Sequence, residues 1–442
     1  MTGLKQDLTT FDLAMIAIGG TIGSGIFLTP SLVAQQLPSP PLMLSVWILG
    51  GVVALCGALT FAELGSMLPK AGGMYVYLTE AYGPLAGFLF GWAYFLVVNT
   101  GGIAALSIAF ATYLGFFLPL DGWGLQATAI GGLLLVTVLN ILGVKTGGVF
   151  SDLFTILKLA GILALIVIGF GWGSFHSSVV HSSLSGTGVV TGGAIAAAMV
   201  GVLWSYGGWQ HASFAAAEAR RPARSVPIAM VIGAATVTLV YILANIAYLC
   251  MMTPEEIASA PRLAADAVGR VLGPSGGSFI SFAIFVSTFG SVGIYTLTAP
   301  RIYFAMAQDG LFFRSVAEIH PRYRTPAAAI LIQSAWAVVL ILFWQTFDRL
   351  ISYVVFTDWI FFGLTGAAVF VLRRSRPATD RPYRTIGYPV TPLVFVAISA
   401  WFVVNTLLDE PAQAWAGLGF LAAGVPVFYY WSNRHGRKQE TP

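Results

Sequence analysis

Charge is what this chain has least of. Only 9% of its 442 residues are Asp, Glu, Lys or Arg, against about 25% in soluble domains, and 57% are apolar. That balance excludes an ordinary water-soluble fold and indicates a polytopic membrane protein. Cysteine is nearly missing: Cys56 and Cys250 are the only two, both inside apolar runs, where a small buried hydrophobe is the expected role and a disulfide is not. The five histidines do not cluster, except for His176 and His181 in a serine-rich connection. Their i to i+5 spacing, with no third ligand type nearby, predicts loop rather than metal. There is no H-E-x-x-H and no Walker A glycine-lysine motif, which argues against a zinc protease and an ATP-driven pump. An enzyme is therefore a poor second reading, and no cofactor or metal is expected. The first apolar run follows Asp7 and Asp12 rather than a basic leader region, and no small-residue cleavage site closes it, so it reads as retained rather than as a signal peptide.

What the chain has instead is long apolar runs. Counting stretches of about 20 residues predicts twelve helices. Those of the first half lie near Asp12 to Gln35, Leu42 to Leu68, Pro84 to Leu118, Leu125 to Gly143, Val149 to Trp172 and Val189 to Ala217. The second half continues with Val226 to Met252, Ser278 to Ala307, Pro326 to Thr346, Leu350 to Leu372, Pro389 to Leu408 and Gln413 to Trp431. Little is left for a globular appendage, so residues 1–442 form one transmembrane domain. Outside the spans, every Lys and Arg except Arg262, Arg270 and Arg349 falls on the side of the N-terminus. The positive-inside rule then places both termini in the cytoplasm of a plasma (inner) membrane protein. The same rule explains Arg373, Arg374 and Arg376 as topology determinants and leaves no case for nucleic-acid binding. The loop Pro69 to Gly83, with Tyr75, Tyr77 and Tyr82 around Glu80, suits an interfacial or re-entrant helix. Pro254 to Gly273 reads as a short outer helix.

The first run is interrupted by Gly19-Gly20-Thr21-Ile22-Gly23-Ser24-Gly25-Ile26-Phe27. Each interior glycine costs about 1 kcal/mol relative to alanine, so this density predicts an unwound helix. In a bilayer that is tolerated only where protein or a water-filled cavity satisfies the freed backbone groups. The sixth run carries a second cluster, Trp204-Ser205-Tyr206-Gly207-Gly208-Trp209-Gln210-His211. Two breaks five helices apart fit an inverted repeat, with helices one to five (about 12–172) set against six to ten (about 189–373) and helices eleven and twelve (about 389–431) appended. For either cluster alone, small-residue packing is the plain alternative. A broken helix offers bare N-H groups that suit a carboxylate and bare carbonyls that suit an ammonium. Together the breaks predict a binding site for a zwitterion.

Lys158 is the one basic residue placed well within a span, about 9 residues from the end of its helix, or ~13 Å of rise, and beyond easy snorkelling. It is either a proton carrier or a fixed cation hydrogen-bonded to carbonyls of the first break. Glu63, Asp152 and Asp358 read as structural, and no acidic side chain falls clearly beside the two breaks, which disfavours cationic substrates. Glu218 with Arg220 and Arg221 reads as an ion-pair cluster closing an inner gate. His211 takes a secondary role.

These motifs resemble a known family. Gly-Thr-Ile-Gly-Ser-Gly-Ile-Phe with Thr29-Pro30 is similar to the first helix of amino acid/polyamine/organocation (APC) transporters, in particular the L-type amino acid transporter (LAT) branch, and the chain looks like a prokaryotic member. Pro69-Lys70-Ala71-Gly72-Gly73 with Tyr75, Tyr77, Glu80 and Tyr82-Gly83-Pro84 resembles that branch's first cytoplasmic loop. Tyr206-Gly207-Gly208-Trp209 with Phe214, Glu218, Pro222 and Pro227 resembles its sixth helix. The resemblance implies an all-α LeuT-like fold with broken helices one and six. It also implies that the amides of Ser24 and Gly25 hold a substrate carboxylate, with Gly23 in the same binding set, and that the carbonyls of Thr21, Trp204 and Gly207 hold the α-ammonium. Trp204 stands where the branch has an aromatic gate, commonly Phe, and Gln210 where the family often has Asn; Ser205 completes the set. Lys158 matches the helix-five lysine linked to sodium independence, with Ser287 as its expected partner. The cysteine that joins animal members to a glycoprotein subunit is missing from Pro119 to Gly124, so no disulfide-linked heavy subunit is expected. The implied function is sodium-independent exchange of neutral L-amino acids. Proton symport through Lys158 is the mechanistic alternative, and a sensor that binds without translocating is the alternative from another class.

Overall fold

The computed structural model describes residues 4–173, 192–343, 347–409 and 411–439. His176, His181 and the first residues of the sixth expected run lie outside them. Among the described residues there is no β-strand, only an isolated bridge between Leu8 and Ala219.

The chain enters as two half-helices, α1 (Thr10–Thr21) and α2 (Gly25–Gln36), followed by α3 (Pro40–Met67) and the short α4 (Met74–Tyr82). Helix α5 (Pro84–Ala93) passes through a π turn at Tyr94–Val98 into α6 (Asn99–Leu114), and α7 (Gly122–Ile141) and α8 (Val144–Trp172) follow. Then come α9 (Gly192–Ser205), the one-turn α10 (His211–Phe214), α11 (Pro222–Met251), and the short α12 (Pro254–Ser259) and α13 (Leu263–Leu272). Helix α14 (Pro274–Thr298) continues into α15 (Pro300–Gln308), and α16 (Ala327–Phe343), α17 (Phe347–Ser375), α18 (Val390–Asp409) and α19 (Pro411–Gln439) complete the order. Among the described residues ten helical stretches, rather than the expected twelve, are long and apolar enough to cross a bilayer. Helices α9 and α16 are apolar but shorter, and they stand where the sequence predicts the sixth and ninth spans.

Local chemistry sets these boundaries. Proline opens α3, α5, α11, α12, α14 and α15, where its missing N-H and fixed φ cost nothing. Thr9 and Asp12 form a capping box at the start of α1, and Thr253 and Glu256 form another at α12, each satisfying backbone donors that the first turn leaves bare. Side-chain polarity is inverted relative to a soluble protein. Leu135, Val149, Leu153, Ile156 and Leu163 are more than half exposed on the outside of α7 and α8, except for Ile156 at 50%, a surface suited to lipid. Lys158, Ser291, Asn99 and Gln333 are buried in the interior, where Asn99 Nδ2 donates to Gln333 Oε1 at 3.1 Å.

Buried ion pairs join elements far apart in sequence. Arg301, fully buried, donates to both Glu218 oxygens at 2.7 and 2.9 Å and also to the Leu297 carbonyl. This corrects the expected cluster of Glu218 with Arg220 and Arg221: those two arginines are exposed, whereas α15 brings Arg301 against Glu218 in the interior. Glu63 binds Arg373 at 2.6 Å and Arg381 at 3.4 Å and accepts from the Thr385 amide at 2.7 Å. The bridge at Leu8 is a two-bond tie: Leu8 donates to the Glu218 carbonyl and accepts from the Arg220 amide, each at 2.9 Å.

Candidate functional site

The first break is three residues wide. Helix α1 ends on Ile22, whose amide still reaches the Ile18 carbonyl, and α2 starts after Ser24, whose φ of −76° and ψ of −18° already match a helix. Among the described residues the amides of Gly23, Ser24 and Gly25 donate to no other group, and Ser24 Oγ is buried without a partner. These are the bare donors of a helix N-terminus, where the backbone dipoles favour negative charge. The opposite end is occupied. Lys158 Nζ donates at 2.8 Å to each of the Gly19 carbonyl, the Ile22 carbonyl and Ser291 Oγ. An ammonium has three donors and no acceptor, so all of its hydrogen-bonding capacity is met. No carboxylate pairs with it among the described residues, and the carbonyl end of α1 supplies the compensating negative potential.

Ser287 does not take part. The hydroxyl at Nζ belongs to Ser291, one turn further along α14, which also touches the Gly19 and Ile22 carbonyls at 3.3 and 3.0 Å. Ser287 Oγ is buried and has no hydrogen-bond partner. Residues four apart share a helix face, so the face is the expected one and the level along the helix differs.

At the second break, residues 206–210 separate α9 from α10. Gln210 folds back, its Oε1 accepting from the Gly208 amide at 2.8 Å, and Ser205 Oγ donates to Thr29 Oγ1 at 2.9 Å. Gln210 thus holds the backbone of the second break, while Ser205 ties the end of α9 to α2. Thr21 offers its carbonyl to Tyr241 Oη at 3.1 Å. The two broken helices touch at the rims of their breaks. Gly208 has φ +132°, a region that favours glycine, and a Cβ there would lie 2.4 Å from the Gly20 carbonyl carbon. A Cβ on Gly25 would lie 2.9 Å from Ser205 Cα. Gly19 behaves differently, since a Cβ there would strike Thr155 Oγ1 on α8, which gives it the packing role typical of small residues between helices.

Beside the second break is a cavity of about 20 Å³ bounded by Trp204, Gly207, Gln210, Tyr94, Asp358 and Trp359. It has room for about one water, far below the ~300–1,000 Å³ of small-molecule sites, so this conformation is shut around the breaks. Trp204, the expected gate, forms part of its wall. A much larger hollow, about 960 Å³, opens at the end of the bundle that carries the termini, between Gln6, Lys70, Tyr75, Glu80 and Asp309. It does not reach the breaks.

Sequence reasoning missed several neighbours. His211 Nδ1 is 2.6 Å from Thr298 Oγ1 and its Nε2 is 3.4 Å from Tyr94 Oη, so both ring nitrogens have partners. Asp358, read from the sequence as structural, lines the cavity at Gly207. That corrects the expectation that no carboxyl stands beside the breaks: α17 crosses α9 where the apolar residues around Asp358 gave no sign of it.

Residues 8–428 match the family model for amino acid permeases. The chain belongs to the amino acid permease family. Among its relatives is the serine/threonine exchanger SteT of Bacillus subtilis, 34% identical over 439 residues and covering 98% of each chain. The human b(0,+)-type amino acid transporter 1 is 32% identical over 443 residues, 97% of this chain and 88% of that one. The human large neutral amino acids transporter small subunit 2 is 31% identical over 443 residues, 98% of this chain and 82% of that one. The family consists of membrane transporters, which sets the enzyme reading aside, and it fits a LeuT-like helical membrane fold with the breaks in the helices described here.

Proposed function

We propose that this protein exchanges amino acids across the membrane by alternating access, without sodium, and that its substrates include neutral L-amino acids. The observation that carries the reading is the pair of broken helices in backbone contact, with bare amides on one side and a lysine on the other. In this reading the amides of Gly23, Ser24 and Gly25 receive the substrate carboxylate. The carbonyls of Thr21, Trp204 and Gly207 receive its α-ammonium, and Trp204 closes over it. Ser205 and Gln210 shape the breaks, and Lys158 takes the place of a coupling ion. The three filled donors of Lys158 favour a fixed cation over a proton carrier, because each proton already has an acceptor. The name of the Bacillus subtilis relative supports exchange, and those of the two human relatives support amino acid transport. The five-plus-five repeat is part of the same proposal, as are a cytoplasmic location for both termini, which the basic loops support, and the absence of a disulfide-linked subunit.

The test is uptake into proteoliposomes of labelled serine, threonine and larger neutral amino acids, with and without internal amino acid, sodium and a pH gradient. Uptake that needs internal amino acid but not sodium is expected. Strict dependence on external sodium would overturn the role given to Lys158. Binding without any trans-stimulated flux would favour a sensor.

A further inference from the structure

Among the described residues no basic side chain forms an ion pair with Asp358. It sits on α17 inside a membrane span, and its Oδ1 is inaccessible and has no hydrogen-bond partner among the described residues. The cavity it lines holds no lysine or arginine; the titratable groups facing it are Tyr94 on the π turn, His211 on α10 and Tyr295 on α14. His211 is committed to Thr298 and Tyr94. Lys158 is committed to the first break. A lone carboxyl in such surroundings must take up a proton or be joined by a cation, and of the two a cationic ligand is the one that would also supply a donor to the bare Oδ1.

The location narrows which ligand. The cavity wall includes Trp204, Gly207 and Gln210 of the second break and, opposite them, Asp358, Trp359, Val355 and Phe362 of α17. No residue of the first break lines it. An α-amino acid held at the breaks by its carboxylate and ammonium would send its side chain toward this cavity, where aromatic rings cover the stem and a single carboxyl ends the path. We infer that Asp358 is a specificity residue that accepts the charged end of a cationic amino acid side chain, extending the substrate range beyond neutral amino acids. This rests on the exchanger reading above. Trp204 and Trp359 must part to admit such a side chain, because the cavity of about 20 Å³ is closed here.

The experiment measures how far excess ornithine, lysine or alanine inhibits labelled serine exchange in proteoliposomes, for the wild type and for Asp358→Asn and Asp358→Glu. The expected result is that ornithine or lysine competes in the wild type. The cationic-to-neutral selectivity should fall at least tenfold in Asp358→Asn and be partly kept in Asp358→Glu. If alanine competes and neither cationic amino acid does, the inference falls while the exchanger reading stands. Unchanged selectivity in Asp358→Asn also overturns it. So does a variant whose only change is in the pH dependence of serine exchange, which would make Asp358 a proton site. Should Asp358→Asn fail to express, the wild-type competition and Asp358→Glu still decide. If no amino acid is exchanged at all, the exchanger reading falls and this inference with it.

Discussion

At the scale of single residues, Lys158 and Gly208 make the sharpest claims. Replacing Lys158 with alanine leaves the Gly19 and Ile22 carbonyls to share the single proton of Ser291 Oγ, and a buried acceptor left bare costs about 1–3 kcal/mol. Exchange in Lys158→Ala should fall by at least about tenfold, with a lower melting temperature in detergent; wild-type exchange across pH would dismiss an essential role. Gly208→Ala should abolish exchange for a steric reason, since its Cβ would land 2.4 Å from Gly20. A variant at wild-type rate would mean that the breaks do not stay in contact. Both residues were legible in the sequence, one as a lone charge in an apolar run and the other as part of a glycine cluster. Ser291 was not, because serines recur on one face of α14 and the level at which α14 meets α1 is set by packing with α8. Asp358 was hidden for a similar reason: one acid among apolar neighbours does not announce which helix it will face.

Elements tell a different story. The half-helices follow from glycine density, and the caps and opening prolines follow from local chemistry, so their positions come close to those expected. The ion pairs do not, because Glu218 and Arg301 are 83 residues apart and nothing local links them. Removing one partner of a fully buried pair leaves an uncompensated charge, at a cost of about 3–5 kcal/mol. Arg301→Met should therefore destabilise strongly, and Arg301→Met with Glu218→Gln should recover part of the loss. Thermal unfolding of the singles and the double checks this, and additive losses would refute it. On the short α4, burial alone would raise Glu80, but Arg376 and Lys70 outweigh it and hold this carboxyl below the ordinary glutamate range. A depressed carboxyl stabilises the fold fully above the ordinary value near about 4.3 and loses that contribution as pH falls through its lowered value. The difference in melting temperature between wild type and Glu80→Gln should persist from pH 8 to 5 and shrink toward pH 3. Because Glu80 and its partners are partly exposed, the difference should be small.

For the whole molecule, composition alone announced a helical membrane protein, while the number and lengths of the spans were harder to read, ten rather than twelve being long and apolar enough among the described residues. Helix α9 stops at Ser205, well inside the apolar run that contains it, because hydropathy does not report where a helix is broken. The proposed orientation has a direct check. In a background with Cys56 and Cys250 changed to Ala, Asp121→Cys should react with a membrane-impermeant thiol reagent on intact cells. Arg376→Cys should react only after permeabilisation, and the reverse pattern would invert the topology.

The bond between Leu8 and the chain at Glu218 bears on how this protein can be handled. Glu218 is gripped twice, its carbonyl by Leu8 and its carboxylate by Arg301, so the N-terminal arm is fastened to the segment that follows the second broken helix. A bulky fluorescent or affinity fusion placed just before Leu8 would pull on that knot with every cycle. The C-terminal helix α19 is the safer place for a handle.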